Sequence, residues 1–135
     1  MTADSVVLDA SVLIRSAVAR EPAARAWLRA VEEGQVEGHV PDLAYAECAS
    51  AVATYVRARL VDVSAAAETL GGIAELPLVS HSLARLVRPS LMLAIERGLS
   101  AYDASYAVLA EVLPARLITA DRRLAAVVPG AELLA

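Results

Sequence analysis

The sequence predicts an α/β fold: a mostly parallel sheet covered by helices on both faces. Two observations carry the prediction. Short apolar runs, bounded by Gly, Pro or a lone acid, alternate along the chain with longer stretches of helical periodicity. The run nearest the N-terminus, Val6-Val7-Leu8, ends in Asp9 and resumes as an apolar helix pattern after Ser11. Such a run reads as a short buried strand, a turn and the start of a helix. Strands that alternate with helices in this way build parallel sheets with helices on both sides.

The elements follow in order. Residues 6–9 form the first strand, and residues 11–20 a helix with Val12, Leu13, Ala17 and Val18 on its inner side. Glu21-Pro22 breaks that helix, and Pro22 suits the first turn of a second one through 33. Its apolar stripe is Ala24, Trp27, Leu28 and Val31, and Gly34 ends it. Residues 36–40, between Gly34 and Pro41, make a second strand, and residues 42–60 a long helix. Ser64 is placed as the N-cap of a fourth helix reaching Glu75, and residues 76–79 as a weak third strand. Residues 82–97 form a helix bent or restarted at Pro89, with Gly98 as its stop. Ser100 caps the next helix, which runs through 113 and ends at Pro114. Residues 116–119 are a fourth strand, 121–127 a short helix and 132–134 a last strand. There is no internal repeat, linker or low-complexity tract, so residues 1–135 are expected to form one domain.

Composition narrows the function. The chain of 135 residues is 58% hydrophobic with net charge −4, a mean hydropathy of +0.54 and a pI near 5.1. No apolar run approaches the ~20 residues of a membrane span, and the N-terminus lacks the basic region of a secretion signal. The expected location is the cytoplasm, and the single Cys48 fits a reducing compartment. An apolar surplus without a span suggests a thick core, a buried oligomer interface or a partner-binding groove. The acidic balance argues against broad electrostatic binding to nucleic acid but leaves room for a local basic rim. All twelve basic residues are Arg.

Most of the sixteen acids lie on polar helix faces or near helix ends. Four differ. Asp9 and Asp121 follow strands; Glu47 and Asp103 sit early in helices among small and apolar residues. Each Asp has a plain reading as a helix cap, and Ser100 with Asp103 has the spacing of a capping box. Jointly they mean more. In a parallel sheet all four positions share the edge where open α/β folds place their ligands. Two like charges ~4 Å apart cost about 1 kcal/mol in water and about 4 kcal/mol at an effective dielectric of 20. Several such pairs call for a divalent cation, and an all-oxygen site suits Mg²⁺ or Mn²⁺.

At these residues the sequence resembles the PIN domain family, and within it the VapC-type toxins of type II toxin–antitoxin systems. The matching pieces are Val7-Leu8-Asp9-Ala10-Ser11, Pro41-Asp42-Leu43-Ala44-Tyr45-Ala46-Glu47, Tyr102-Asp103-Ala104-Ser105-Tyr106-Ala107 and Leu117-Ile118-Thr119-Ala120-Asp121-Arg122-Arg123-Leu124. They occur in the family's order and span nearly the whole chain. The resemblance implies a three-layer α/β/α sandwich. It also implies a Mg²⁺- or Mn²⁺-dependent endoribonuclease that hydrolyses RNA phosphodiesters with metal-activated water. Asp9, Glu47, Asp103 and Asp121 would be the catalytic and metal-site acids, with Ser11 and Thr119 as supporting hydroxyls. Such toxins are usually homodimers held inactive by a small cognate antitoxin.

Other residues keep plainer expectations. Arg15, Arg122 and Arg123 are weak candidates for contacts with RNA phosphates. Tyr102 and Tyr106 read as core, His39 and His81 as structural or surface residues, and Cys48 as a small buried residue. The alternative function is a PIN-like module that binds RNA or a partner without cutting, against which the intact acid quartet argues. An aspartyl-phosphate enzyme fits poorly, because Ser11 stands where its second Asp belongs; a receiver domain needs a Lys near its C-terminus, and the chain has no Lys.

Overall fold

The computed structural model describes residues 4–134. Among them the chain runs β1 (Asp4–Leu8), α1 (Ala10–Ala17), α2 (Pro22–Glu32), β2 (Val36–Pro41), α3 (Leu43–Arg57) and α4 (Val63–Ala74). It continues through β3 (Val79–His81), α5 (Leu83–Arg97), α6 (Ala101–Val112), β4 (Arg116–Thr119), α7 (Arg122–Val127) and β5 (Glu132–Leu133). The strands form one sheet in the order β3-β2-β1-β4-β5, and every pairing is parallel.

That order fixes the layers. From β1 the chain steps outward to β2 and β3, then crosses back over the sheet to β4 and β5. Right-handed crossovers put α1–α4 on one face and α5–α7 on the other, giving three layers. α6 lies across β1, β2 and β4, with α5 packed on its outside. The central strands are buried on both faces: Val6, Val7, Leu8, Leu117 and Ile118 are at most 1% exposed. Gly38 in β2 lies close under two side chains: a Cβ there would be 2.9 Å from Leu78 Cδ2 and 3.0 Å from Val31 Cγ2, so a larger residue would make those side chains shift. Strand alternation then turns Glu37 and His39 to the opposite face. Among the described residues no helix is long and apolar enough to cross a membrane.

Several element boundaries differ from the sequence expectation. The third strand is Val79–His81 instead of 76–79, because residues 76–78 are occupied by the turn that closes α4. There Leu76 N–H donates to Ile73 O and Leu78 N–H to Leu76 O. α4 is capped by Asp62, whose carboxylate accepts Ala65 N–H at 2.7 Å, rather than by Ser64. α1 stops at Ala17 and α3 at Arg57, each followed within three residues by an Arg with positive φ, Arg20 and Arg59. α5 runs unbroken through Pro89 and ends at Gly98, whose φ of 68° is the left-handed conformation that Gly adopts without strain.

Candidate active site

β1 and β4 are neighbours at the middle of the sheet, and their C-terminal ends carry the first two acids. Asp9 follows β1 and is 8% exposed. It occupies the N-cap position of α1 but makes no side-chain capping bond. Its Oδ2 instead accepts the hydroxyl hydrogens of Ser11 at 2.7 Å and Thr119 at 2.8 Å. Both hydroxyls are themselves held: Ser11 Oγ accepts Ala120 N–H at 3.0 Å, and Thr119 Oγ1 accepts Asp121 N–H at 3.0 Å. The loop after β4 is thereby tied to the loop after β1. Asp121 does cap its helix; Oδ1 accepts Arg123 N–H at 2.9 Å and Leu124 N–H at 3.2 Å.

Glu47 lies half-buried in the second turn of α3, and Asp103 half-buried in the first turn of α6. Ser100 caps α6 by accepting Asp103 N–H at 3.1 Å. Tyr106, fully buried, donates its hydroxyl to Glu47 Oε1 at 2.6 Å. This tyrosine is the core residue that the sequence predicts, and its hydroxyl also reaches a candidate site acid. The available signal was its spacing of three from Asp103, which puts both on one helix face.

The electrostatics join the four positions. Burial pushes the Asp9 carboxyl up, against the pull of the Ser11 and Thr119 hydroxyls and the Ala10 amide, and the Asp121 charge raises it further. Burial also raises Glu47, with the Tyr106 hydroxyl opposing and the charges of Asp9 and Asp103 adding to the rise. Asp103 is raised by burial and then by Asp9 and Asp121, while Ser100 and Arg123 pull it down. Among the described residues no Arg or His lies within ion-pair distance of any of the four acids; the ion pairs formed are elsewhere. Nor do three of these side chains close on a single ligating point among the described residues. Repulsion between like charges favours such a splayed arrangement.

Around the acids, Arg122 and Arg123 are exposed at the start of α7, and Arg123 is the one whose charge reaches Asp103. Arg15 donates to Glu21 at 3.3 Å on the exposed side of α1. Tyr102 is not a core residue: it is 64% exposed and lines an open groove of about 410 Å³ with Leu43, Ala46, Glu47 and Ser50. It shares a helix face with Tyr106, four residues on, but stands exposed in the first turn of α6 where Tyr106 is fully buried. Cys48 is buried beside Glu47, and burial pushes its thiol up to about 12, which leaves it inert.

A family model for the PIN domain matches residues 6–128, which includes all four acids. The chain belongs to the PIN domain family. A curated relative, "Ribonuclease VapC3" of Pyrobaculum aerophilum, is 35% identical over 122 residues, covering 89% of this chain and 92% of its own. Among solved structures, PAE2754 of the same organism is 30% identical with a TM-score of 0.75, covering 99% of this PIN domain and 92% of its own chain. A toxin–antitoxin complex from Klebsiella pneumoniae gives a TM-score of 0.70 at 16% identity, covering 96% and 98%, and shows the shared fold.

The donor set of this PIN domain fits a hard divalent cation. All four side chains offer carboxylate oxygen, the neighbouring hydroxyls hold Asp9 in place, and among the described residues no basic side chain forms an ion pair with them. Asp9, Glu47, Asp103 and the oxygen of Asp121 not used in capping are the groups available to such an ion.

Proposed function

We propose that this PIN domain is a Mg²⁺- or Mn²⁺-dependent endoribonuclease that acts as the toxin of a toxin–antitoxin pair. One observation carries the reading: Asp9, Glu47 and Asp103 are all pushed upward, first by burial and then by a neighbouring acid's charge (Asp121 on Asp9, Asp9 and Asp103 on Glu47, Asp9 and Asp121 on Asp103), and none forms an ion pair with a basic side chain among the described residues. Three acids held that way destabilise the fold unless a cation joins them. Asp9, Glu47, Asp103 and Asp121 would hold the ion through carboxylate oxygens. Bound there, the ion supplies charge neutralisation at a phosphodiester and lowers the pKa of an attacking water.

The chain's own groups do the positioning. Ser11 and Thr119 fix the Asp9 oxygen at the sheet edge, and Tyr106 fixes Glu47. Arg122 and Arg123 stand exposed where an RNA phosphate approaching Asp103 and Asp121 would pass. The names of relatives support the biological role, one being called a ribonuclease and another a toxin–antitoxin complex. An open groove of about 480 Å³ between α1, α2 and α4, lined by Leu13, Ala17, Leu28 and Ile73 and rimmed by Arg20, supports an antitoxin segment as its occupant. The exposed stripe of Val87, Leu91 and Ile95 along α5 supports a homodimer.

Expression without any antitoxin tests the proposal. Growth arrest relieved by Asp9→Asn is expected; growth unaffected by the wild-type chain at confirmed expression would favour a binding module without nuclease activity.

A further inference from the structure

A second polar cluster lies away from the acids, at the β2–β3 edge. Glu37 and His39 point from one face of β2, and His81 closes the three-residue strand β3. His39 Nε2 is 2.7 Å from Glu37 Oε1, and His39 Nδ1 is 2.8 Å from His81 Nε2. The rings lie 5.1 Å apart, tilted by 35°. His39 is buried and rigidly placed, while His81 is half-exposed at the edge of the sheet. Nothing in the cleavage of RNA uses this cluster.

Counting hydrogens shows what it can do. A carboxylate only accepts, so His39 Nε2 carries the hydrogen and donates to Glu37. A neutral His39 then has its lone pair on Nδ1, aimed at His81, and the gap between the rings is closed by a hydrogen on His81 Nε2. Transfer of that hydrogen to His81 Nδ1 through solvent leaves two imidazole lone pairs facing one another. We propose that His39 Nδ1 and His81 Nε2 together chelate a borderline transition-metal ion, of which Zn²⁺ is the test case, with Glu37 orienting the His39 ring.

Geometry and chemistry support this. Two nitrogens each ~2.0–2.1 Å from a tetrahedral Zn²⁺ are ~3.3 Å apart, so the rings need to part by about half an ångström and each to turn so that its lone pair leaves the N···N line by roughly 35°. The open edge strand β3 allows that movement. A carboxylate on the far nitrogen of a ligating imidazole is the arrangement that fixes its tautomer and strengthens it as a ligand. Asp42, the other acid here, is engaged: its Oδ1 accepts Leu83 N–H at 3.1 Å, while its own N–H bonds His81 O. Among the described residues no third His, Cys, Asp or Glu joins the pair, so water completes the shell. The ion would staple β3 to β2. Imidazole donors select it against Mg²⁺, which separates this site from the all-oxygen centre.

The test is Zn²⁺ titration of the full chain at pH 7.5 in a constant excess of Mg²⁺, read by melting temperature and by ¹⁵N NMR of the histidine rings. The proposal expects a rise in melting temperature, absent in His81→Ala and His81→Gln, and weakened roughly 10-fold or more in affinity in Glu37→Gln. It also expects the Nδ1 signal of His39 and the Nε2 signal of His81 to move together. If the substitutions unfold the chain, the NMR titration of the unaltered protein decides. An equal rise in the His81 variants, or ring signals that stay in place at millimolar Zn²⁺, would leave the pair as a proton-sharing contact and overturn the metal site.

Discussion

Asp9 and Asp121 occupy the same kind of place. Each follows a strand of the parallel sheet and stands at the N-cap of the next helix. Their chemistry is opposite. Asp121 gives one oxygen to two backbone amides of α7, as a capping residue does. Asp9 caps nothing; it is buried and wrapped by two hydroxyls that are themselves anchored on backbone amides. The comparison teaches that position at a strand end does not assign a carboxylate its role. What the neighbours offer decides it: Asp121 meets backbone amides, and Asp9 meets the side-chain hydroxyls of Ser11 and Thr119.

The largest expected effect breaks the comparison at Asp9. Asp9→Asn keeps the shape and an acceptor oxygen but removes the charge, and should lower Mn²⁺-dependent RNA cleavage by roughly 10²-fold or more, since even outer partners of metal ligands are worth 10–100-fold. Cleavage at the wild-type rate would show that the buried acid is structural. Next comes the bridge between the two acids. Thr119→Val removes the hydroxyl that donates to Asp9 and accepts from Asp121 N–H, and urea unfolding should show a loss of about 2 kcal/mol. The smallest effect sharpens the other side. Asp121→Ala should cost about 1 kcal/mol through the lost cap, and Asp121→Ser should recover most of that. Both variants should bind Mn²⁺ more weakly in calorimetry; a Ser variant with full affinity would make Asp121 only a cap.

Much of this was legible in the sequence. The parallel sheet followed from the alternation of apolar runs and helical stretches, and the Val6-Val7-Leu8 run is indeed a central buried strand. The acids were picked out by their apolar surroundings and by the resemblance to the PIN family, and Ser11 and Thr119 by the same motifs. What escaped depended on contacts remote in the chain. Tyr106 meets Glu47 across 59 residues, and His39 meets His81 across 42. Two tyrosines four apart suggest one buried stripe, but only Tyr106 is buried; Tyr102, a turn nearer the helix start, is exposed. The misplaced third strand reflects its position at the sheet edge, where burial is slight and the pattern is set by the turn after α4.

The account rests on acids raised by burial and by one another's charge at one edge of the sheet, and a cation-dependent melt tests it most directly. Asp9, Glu47 and Asp103 have folded values raised above their unfolded ones. Over that window the native state binds more protons than the unfolded chain. Their contribution to stability is therefore complete below ~pH 4, the ordinary carboxylate range, and is lost as pH rises through the folded values. Without divalent cations the wild type should lose stability relative to Asp9→Asn as pH rises, and at pH 7.5 Mg²⁺ or Mn²⁺ should raise the wild-type melting temperature while leaving Asp9→Asn unmoved. A melting temperature indifferent to both ions, or one that rises equally in Asp9→Asn, would contradict the shared carboxylate site.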